Sequence, residues 1–141
     1  MNRRDLVQKI VLGGTVLVLV PSVLQSCTKA PATDPGGNTP GTKINLDLTL
    51  SDNSALNTVG GSKTVSNIIV INKGNGNFSA LSNICTHQGC TVEYLSGAGN
   101  IWCPCHGSVF STSGSVVIGP ASSPLHSYQV SLTGNILTIT I

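Results

Sequence analysis

Cys85-Thr86-His87-Gln88-Gly89-Cys90 and Cys103-Pro104-Cys105-His106-Gly107-Ser108 are the two stretches on which the reading of this chain turns. Within residues 85–108 they bring together two Cys–His pairs and two further cysteines. Thiolate sulfur and neutral imidazole nitrogen are soft and borderline donors suited to iron–sulfur and zinc centres. A structural zinc ion would use one cysteine and one histidine from each box and leave the other two cysteines without a purpose. Two plain disulfides would use all four box cysteines and leave both histidines unexplained.

The boxes are similar to those of the Rieske iron–sulfur proteins, in particular the disulfide-bearing branch of cytochrome bc-type, quinol-oxidising complexes. The resemblance is specific over residues 80–125 or so. It implies a [2Fe–2S] cluster in which two histidines replace two cysteines on one iron. On that resemblance Cys85 and Cys103 would hold the inner iron, and His87 and His106 the outer, more exposed one. Cys90 and Cys105 would pair as a disulfide pinning the two loops together. Cytosolic Rieske ferredoxins share the Cys-x-His and Cys-x-x-His spacing but lack this extra pair. A disulfide in turn implies an oxidising compartment. A degenerate fold that has lost its cluster is a further alternative, against which all four ligand positions stand filled.

Charge explains the residue types. The oxidised core of two ferric ions and two sulfides carries two positive charges. Four thiolates would make the unit a dianion, whereas two thiolates and two neutral imidazoles make it neutral. An electron enters a neutral unit more readily, which places Rieske potentials at roughly −150 to +300 mV. Each imidazole also keeps a second nitrogen that can hold or lose a proton, so reduction can be coupled to protonation.

Several neighbouring residues match positions that tune such clusters. Ser108 stands where the family's serine donates to a bridging sulfide. Two residues on, high-potential members carry a tyrosine that donates to a ligand cysteine; here the residue is Phe110, which cannot donate. Pro120, in Gly119-Pro120-Ala121, matches the start of the loop that covers the cluster. The usual Gly-Pro-Ala-Pro reads Gly-Pro-Ala-Ser-Ser-Pro here, with the second proline displaced to Pro124. Gln88 would make the tip near the histidines more polar, or is simply a tolerated loop residue. Trp102, Tyr94 and Tyr128 read as packing residues, and His126, outside both boxes, as a strand-end histidine.

Outward from the boxes, the chain of 141 residues is long enough for one domain. Its net charge is +2 with the cations scattered, which gives no nucleic-acid surface. Five aromatics in all (Trp 1, Tyr 2, Phe 2) leave the core to Val, Ile and Leu.

Residues 1–27 read as a targeting segment. Arg3 and Arg4 precede an apolar run over residues 10–24. As a helix that run is about 22 Å long, short of the ~30 Å hydrocarbon core, and Pro21 shortens it further. A cleaved signal fits better than a permanent signal-anchor. Leu24-Gln25-Ser26-Cys27 resembles a lipobox, in which Cys27 would be lipidated. Cysteine arithmetic favours this, since two ligands and one disulfide pair leave Cys27 over. Asn2-Arg3-Arg4-Asp5-Leu6 resembles a twin-arginine signal, a route that exports folded cofactor proteins.

Residues 28–43 hold three prolines and three glycines and read as a flexible linker with a reach of roughly 20–24 Å. From residue 44 the pattern is β throughout. Ile44–Leu50 alternates strictly; Lys63–Val65, Ile68–Asn72, Phe78–Ser82, Thr91–Tyr94 and Val116–Ile118 follow. Ser127–Leu132 and Ile136–Ile141 form a hairpin about Thr133-Gly134-Asn135, and Gly74-Asn75-Gly76-Asn77 is another turn. No helical period occurs outside the leader. The expected fold is all-β: a small antiparallel sandwich or open barrel over 44–141, with a cluster-binding subdomain inserted over about 83–124.

The function these features imply is one-electron transfer at the outer face of the cytoplasmic membrane or in the periplasm, with no independent catalytic site. The partner would be a cytochrome b or c, with quinol as a possible donor, in a quinol-oxidising complex. The alternative is a stand-alone lipoprotein carrier, or the small subunit of a periplasmic oxidoreductase such as arsenite oxidase. A Rieske oxygenase would need a second iron domain, for which no residues remain.

Overall fold

In the computed structural model, which describes residues 34–141, four successive aliphatics from Ile68 to Ile71 are all buried. A strand buried on one face alternates; a strand buried on both does not. Strand β3 (Ile68–Gly74) is of the second kind. Ile68 and Val70 enter one core with Leu46, Leu56, Ala80, Tyr128, Leu137 and Ile139. Ile69 and Ile71 enter another, which contains Cys85, Cys103, Ile101 and Phe110. One strand is thus the wall shared by two cores.

The larger sheet is curled and has six antiparallel strands, in the order β1 (Lys43–Asp47), β10 (Ile136–Thr140), β9 (Ser127–Thr133), β4 (Asn77–Ser82), β3, β2 (Ser62–Val65). The smaller sheet has four: β5 (Glu93–Leu95), β6 (Asn100–Trp102), β7 (Val109–Ser111) and β8 (Val116–Ile118). All four lie in the stretch between Ser82, where β4 ends, and Ser127, where β9 begins. There Ser82 N–H donates to the His126 carbonyl at 2.8 Å, so the outgoing and returning chain are tied at one neck.

The structure departs from the sequence reading at four places. β1 stops at Asp47, because the Asp47 carboxylate accepts from both the backbone and the hydroxyl of Thr49, at 2.9 and 2.6 Å, and turns the chain. A 3-10 helix over Ser51–Asn57 follows, where no helix was expected. It is held by Asn72, whose side-chain amide donates to the Leu56 carbonyl at 2.7 Å, and by burial of Leu56. β6 and β7 were not read at all, and β5 begins two residues later than the expected Thr91. Finally, residues 34–42, assigned to the linker, lie against the domain. Asp34 is buried, its carboxylate accepts from the Tyr128 hydroxyl, and Gly41 N–H donates to the Ile141 carbonyl at 2.5 Å. The leader, the lipobox, Cys27 and residues 28–33 lie outside the described residues. Among the described residues no helix is long and apolar enough to cross a membrane.

Candidate cluster site

The two boxes fold into the same six-residue loop. In the first, Cys85 N–H donates to the Cys90 carbonyl at 2.7 Å and the Cys85 carbonyl accepts from Gly89 N–H at 2.9 Å. In the second, Cys103 N–H donates to the Ser108 carbonyl at 2.8 Å and the Cys103 carbonyl accepts from Gly107 N–H at 3.0 Å. The fifth residue of each loop has positive φ, 74° at Gly89 and 76° at Gly107, which glycine adopts without strain. The shared closure reconciles the two spacings: His87 is third in its loop and His106 fourth.

The loops face one another. His87 Nδ1 and His106 Nδ1 are 3.3 Å apart, with the rings edge to face at 88°. Two nitrogens bound to one metal ion at about 2.1 Å each would stand about 3.4 Å apart at a tetrahedral angle. The observed pair therefore already has the separation one ion requires. Cys85 and Cys103 are buried beneath, 2% and 1% exposed, and both are free thiols. Burial pushes the Cys85 thiol up, and the neighbouring Cys103 sulfur adds to this. The N–H groups of His87 and Gln88 act on the sulfur in the opposite sense, as donors to a thiolate. Two thiols and two inward ring nitrogens fit a [2Fe–2S] cluster of the mixed-ligand kind.

Cys90 and Cys105 form the expected disulfide, joining the sixth residue of one loop to the third of the other. The sulfurs of Cys90, Cys103 and Cys105 all lie within 4.8 Å of one another. Two of the three are spent in the disulfide, so this trio is no metal site; it places the bridge against the Cys103 sulfur.

The segment after β8 is clipped to both loops. Thr86 Oγ1 donates to the Ser123 carbonyl at 2.6 Å, and Ala121 N–H donates to Ser108 Oγ at 3.0 Å. Ser108 is fully buried, and this bond leaves its own hydroxyl proton free to point elsewhere. Phe110, from β7, is fully buried in the same core as Cys85 and Cys103. Pro120, Gln88 and His106 are exposed; His87 is half-buried. Trp102, the last residue of β6, pairs with Glu93 on β5 and Val109 on β7, and His126 immediately precedes β9. Sequence reading missed Thr86, whose threonine in a Cys-Thr-His context was the available signal. Thr86→Val keeps the side-chain shape and removes the donor. It is expected to speed amide exchange in residues 119–124 by up to about tenfold, the worth of one ordinary hydrogen bond, and to leave the sheets unchanged. Unchanged exchange there would show that the clip does not hold the covering loop.

Comparison with known proteins agrees with this geometry. The family pattern described as the Rieske [2Fe-2S] domain matches residues 46–129. The cytochrome b6-f complex iron-sulfur subunit of Chlorobaculum tepidum is 32% identical over 145 residues, covering 99% of this chain and 76% of that one. The subunit of the same name from Chlorobaculum thiosulfatiphilum is 38% identical over 72 residues, 51% of this chain; the match spans only 39% of that relative's length. Among solved structures, the cyanobacterial plasma membrane Rieske protein of Synechocystis PCC 6803 has a TM-score of 0.52 at 32% identity, over 57% of this chain and 85% of that one. Since the matched pattern runs through both cysteine–histidine loops and all four strands of the smaller sheet, the chain belongs to the Rieske [2Fe–2S] domain family, whose cofactor is a [2Fe–2S] cluster.

Proposed function

We propose that Cys85 and Cys103 hold the inner iron of the cluster and His87 and His106 the outer iron, in an exported protein tethered to the cytoplasmic membrane that serves a quinol-oxidising complex. The single observation that supports this most is the facing pair of histidine Nδ1 atoms at 3.3 Å above two buried free thiols. When bound, the cluster supplies a one-electron couple. The chain's own residues do the rest. The buried thiols anchor, the disulfide fixes the loop spacing, and the clipped covering segment limits water. With each Nδ1 turned inward, the Nε2 atom of the exposed His106 is the place where a quinol hydroxyl would donate a hydrogen bond and leave its proton. The names of the relatives, both subunits of cytochrome b6-f complexes, favour this over a carrier in a periplasmic oxidoreductase.

Residues 1–27 would then be the leader with its lipobox-like cleavage site, Cys27 would carry the lipid, and 28–33 would belong to the tether. The domain proper would start at Asp34, with the cluster-binding part from Asn83 to His126. A redox titration followed by electron paramagnetic resonance at several pH values tests the core of this reading. A Rieske-type signal with a positive, pH-dependent potential is expected. A clearly negative potential would point to a low-potential relay, and one zinc ion per chain with no signal would overturn the reading.

Ser108 and Phe110 are the proposed tuning residues. Phe110→Tyr adds a donor in the core that holds both cysteine sulfurs. A hydrogen bond worth ~0.5–1.5 kcal/mol in favour of the reduced state raises a one-electron potential by about 20–60 mV. The same titration on this variant should show that rise; an unchanged or lower potential would remove Phe110 from the tuning set.

A further inference from the structure

The segment Asp34-Pro35-Gly36-Gly37-Asn38-Thr39-Pro40-Gly41-Thr42 is tied to the domain by hydrogen bonds. None of its residues belongs to either hydrophobic core, and only Asp34 is buried. Its last two residues bond the end of the chain, Gly41 N–H donating to the Ile141 carbonyl at 2.5 Å and Ile141 N–H to the Thr42 carbonyl at 3.0 Å, and its other contacts converge on the neck. The Asp34 carboxylate accepts from the Tyr128 hydroxyl, from Gly36 N–H at 3.1 Å, and from the Asn38 side-chain amide and N–H at 2.8 and 3.3 Å. Asn38 also donates to the Ser66 carbonyl, and Asn67 donates back to the Gly36 carbonyl, each at 3.0 Å. Asn67 in turn accepts, through its own carbonyl, the N–H of Asn83 at 2.8 Å, where the chain leaves the large sheet. Tyr128 stands just after the chain returns. His126 is the other titratable neighbour, its Nε2 4.0 Å from Asp34 Oδ1.

We propose that Asp34–Thr42 is a releasable strap that sets the length of the tether. With the Asp34 carboxylate seated, the tether begins before residue 34. When those bonds break, the strap peels from the neck and the edge of the sheet, and its nine residues add up to about 30 Å of extended chain to the tether. The strap contributes no residue to either core, which makes this opening separable from unfolding. The consequence for reach rests on the reading of the preceding residues as a membrane tether.

Hydrogen–deuterium exchange on the full, cluster-loaded chain tests the strap directly. In the unaltered protein, residues 34–42 should exchange well ahead of the β9–β10 hairpin. Asp34→Asn keeps the size but presents amide protons to donors that need an acceptor. It should speed exchange of the strap about ten- to a hundredfold, the loss expected for bonds to a charged acceptor, with the hairpin and the cluster's paramagnetic signal unchanged. The proposal is overturned if the strap and hairpin exchange in step in the unaltered protein. It is equally overturned if the variant leaves strap exchange unchanged, accelerates both together, or fails to fold. Exchange reports on the strap alone, whereas the intact mass of membrane-extracted chain reports whether Cys27 carries lipid, so either reading can fail without the other.

Discussion

Serine in place of Cys85 or Cys103 is expected to leave the chain without its cluster. Each thiol is nearly inaccessible, 2% and 1% exposed, and each sits at the first position of a closed six-residue loop. A serine hydroxyl is smaller and far harder to deprotonate, so the site would present three donors where four are needed. Cluster binding also holds the two loops by mass action, since ligands that assemble only in the folded state convert binding energy into folding energy. The expected result is loss of bound iron, of visible absorption and of the reduced-state paramagnetic signal, together with a lower unfolding temperature. A variant that keeps a full cluster with an unaltered spectrum would show that the residue is no ligand. The same measurement separates the cluster from a zinc ion on the same four donors, which would give neither colour nor signal.

The features legible in the sequence were those carried by local patterns. Ile68–Ile71 announces a strand because four β-branched aliphatics stand between turn residues, and the structure shows that the run is continuous because both its faces are buried. The final hairpin is legible from period-two alternation about Thr133-Gly134-Asn135, and the Cys90–Cys105 pairing from the resemblance to disulfide-bearing relatives. What stayed hidden depends on distant partners. β6 and β7 have three residues each and, unlike Val116–Ile118, no run of β-branched residues; they exist because Ile101 and Phe110 pair across the sheet and bury together. Asp34 lies in a Pro/Gly stretch whose composition reads as linker, and its main partner, Tyr128, is 94 residues away. The equivalence of the two loops was masked by their different Cys–His spacings. The trace it left in the sequence was glycine at the fifth place of each box, Gly89 and Gly107.

Replacing both Cys90 and Cys105 by alanine is expected to give the largest loss of stability that leaves all four proposed ligands in place. The bridge closes a loop with a sequence separation of 15, for which the chain-entropy model gives about 3 kcal/mol. In a domain of this size such a loss lowers the unfolding temperature by about 10–20 °C. The bridge joins two loops that otherwise meet through the facing histidines, so its removal should also speed cluster loss. The double variant is the informative one. A single replacement would leave a thiol within 4.8 Å of the Cys103 sulfur, where it could compete as a ligand or be oxidised against it. Thermal unfolding of the loaded protein, followed by far-ultraviolet circular dichroism and by cluster absorbance, reads both effects. A domain that unfolds well below the parent, with the cluster bleaching before the sheets melt, is the expected outcome. An unchanged midpoint with an intact cluster would mean that the cluster ligands and the Thr86 and Ser108 clips already fix the loop spacing, and that the disulfide adds only a constraint the folded site does not need.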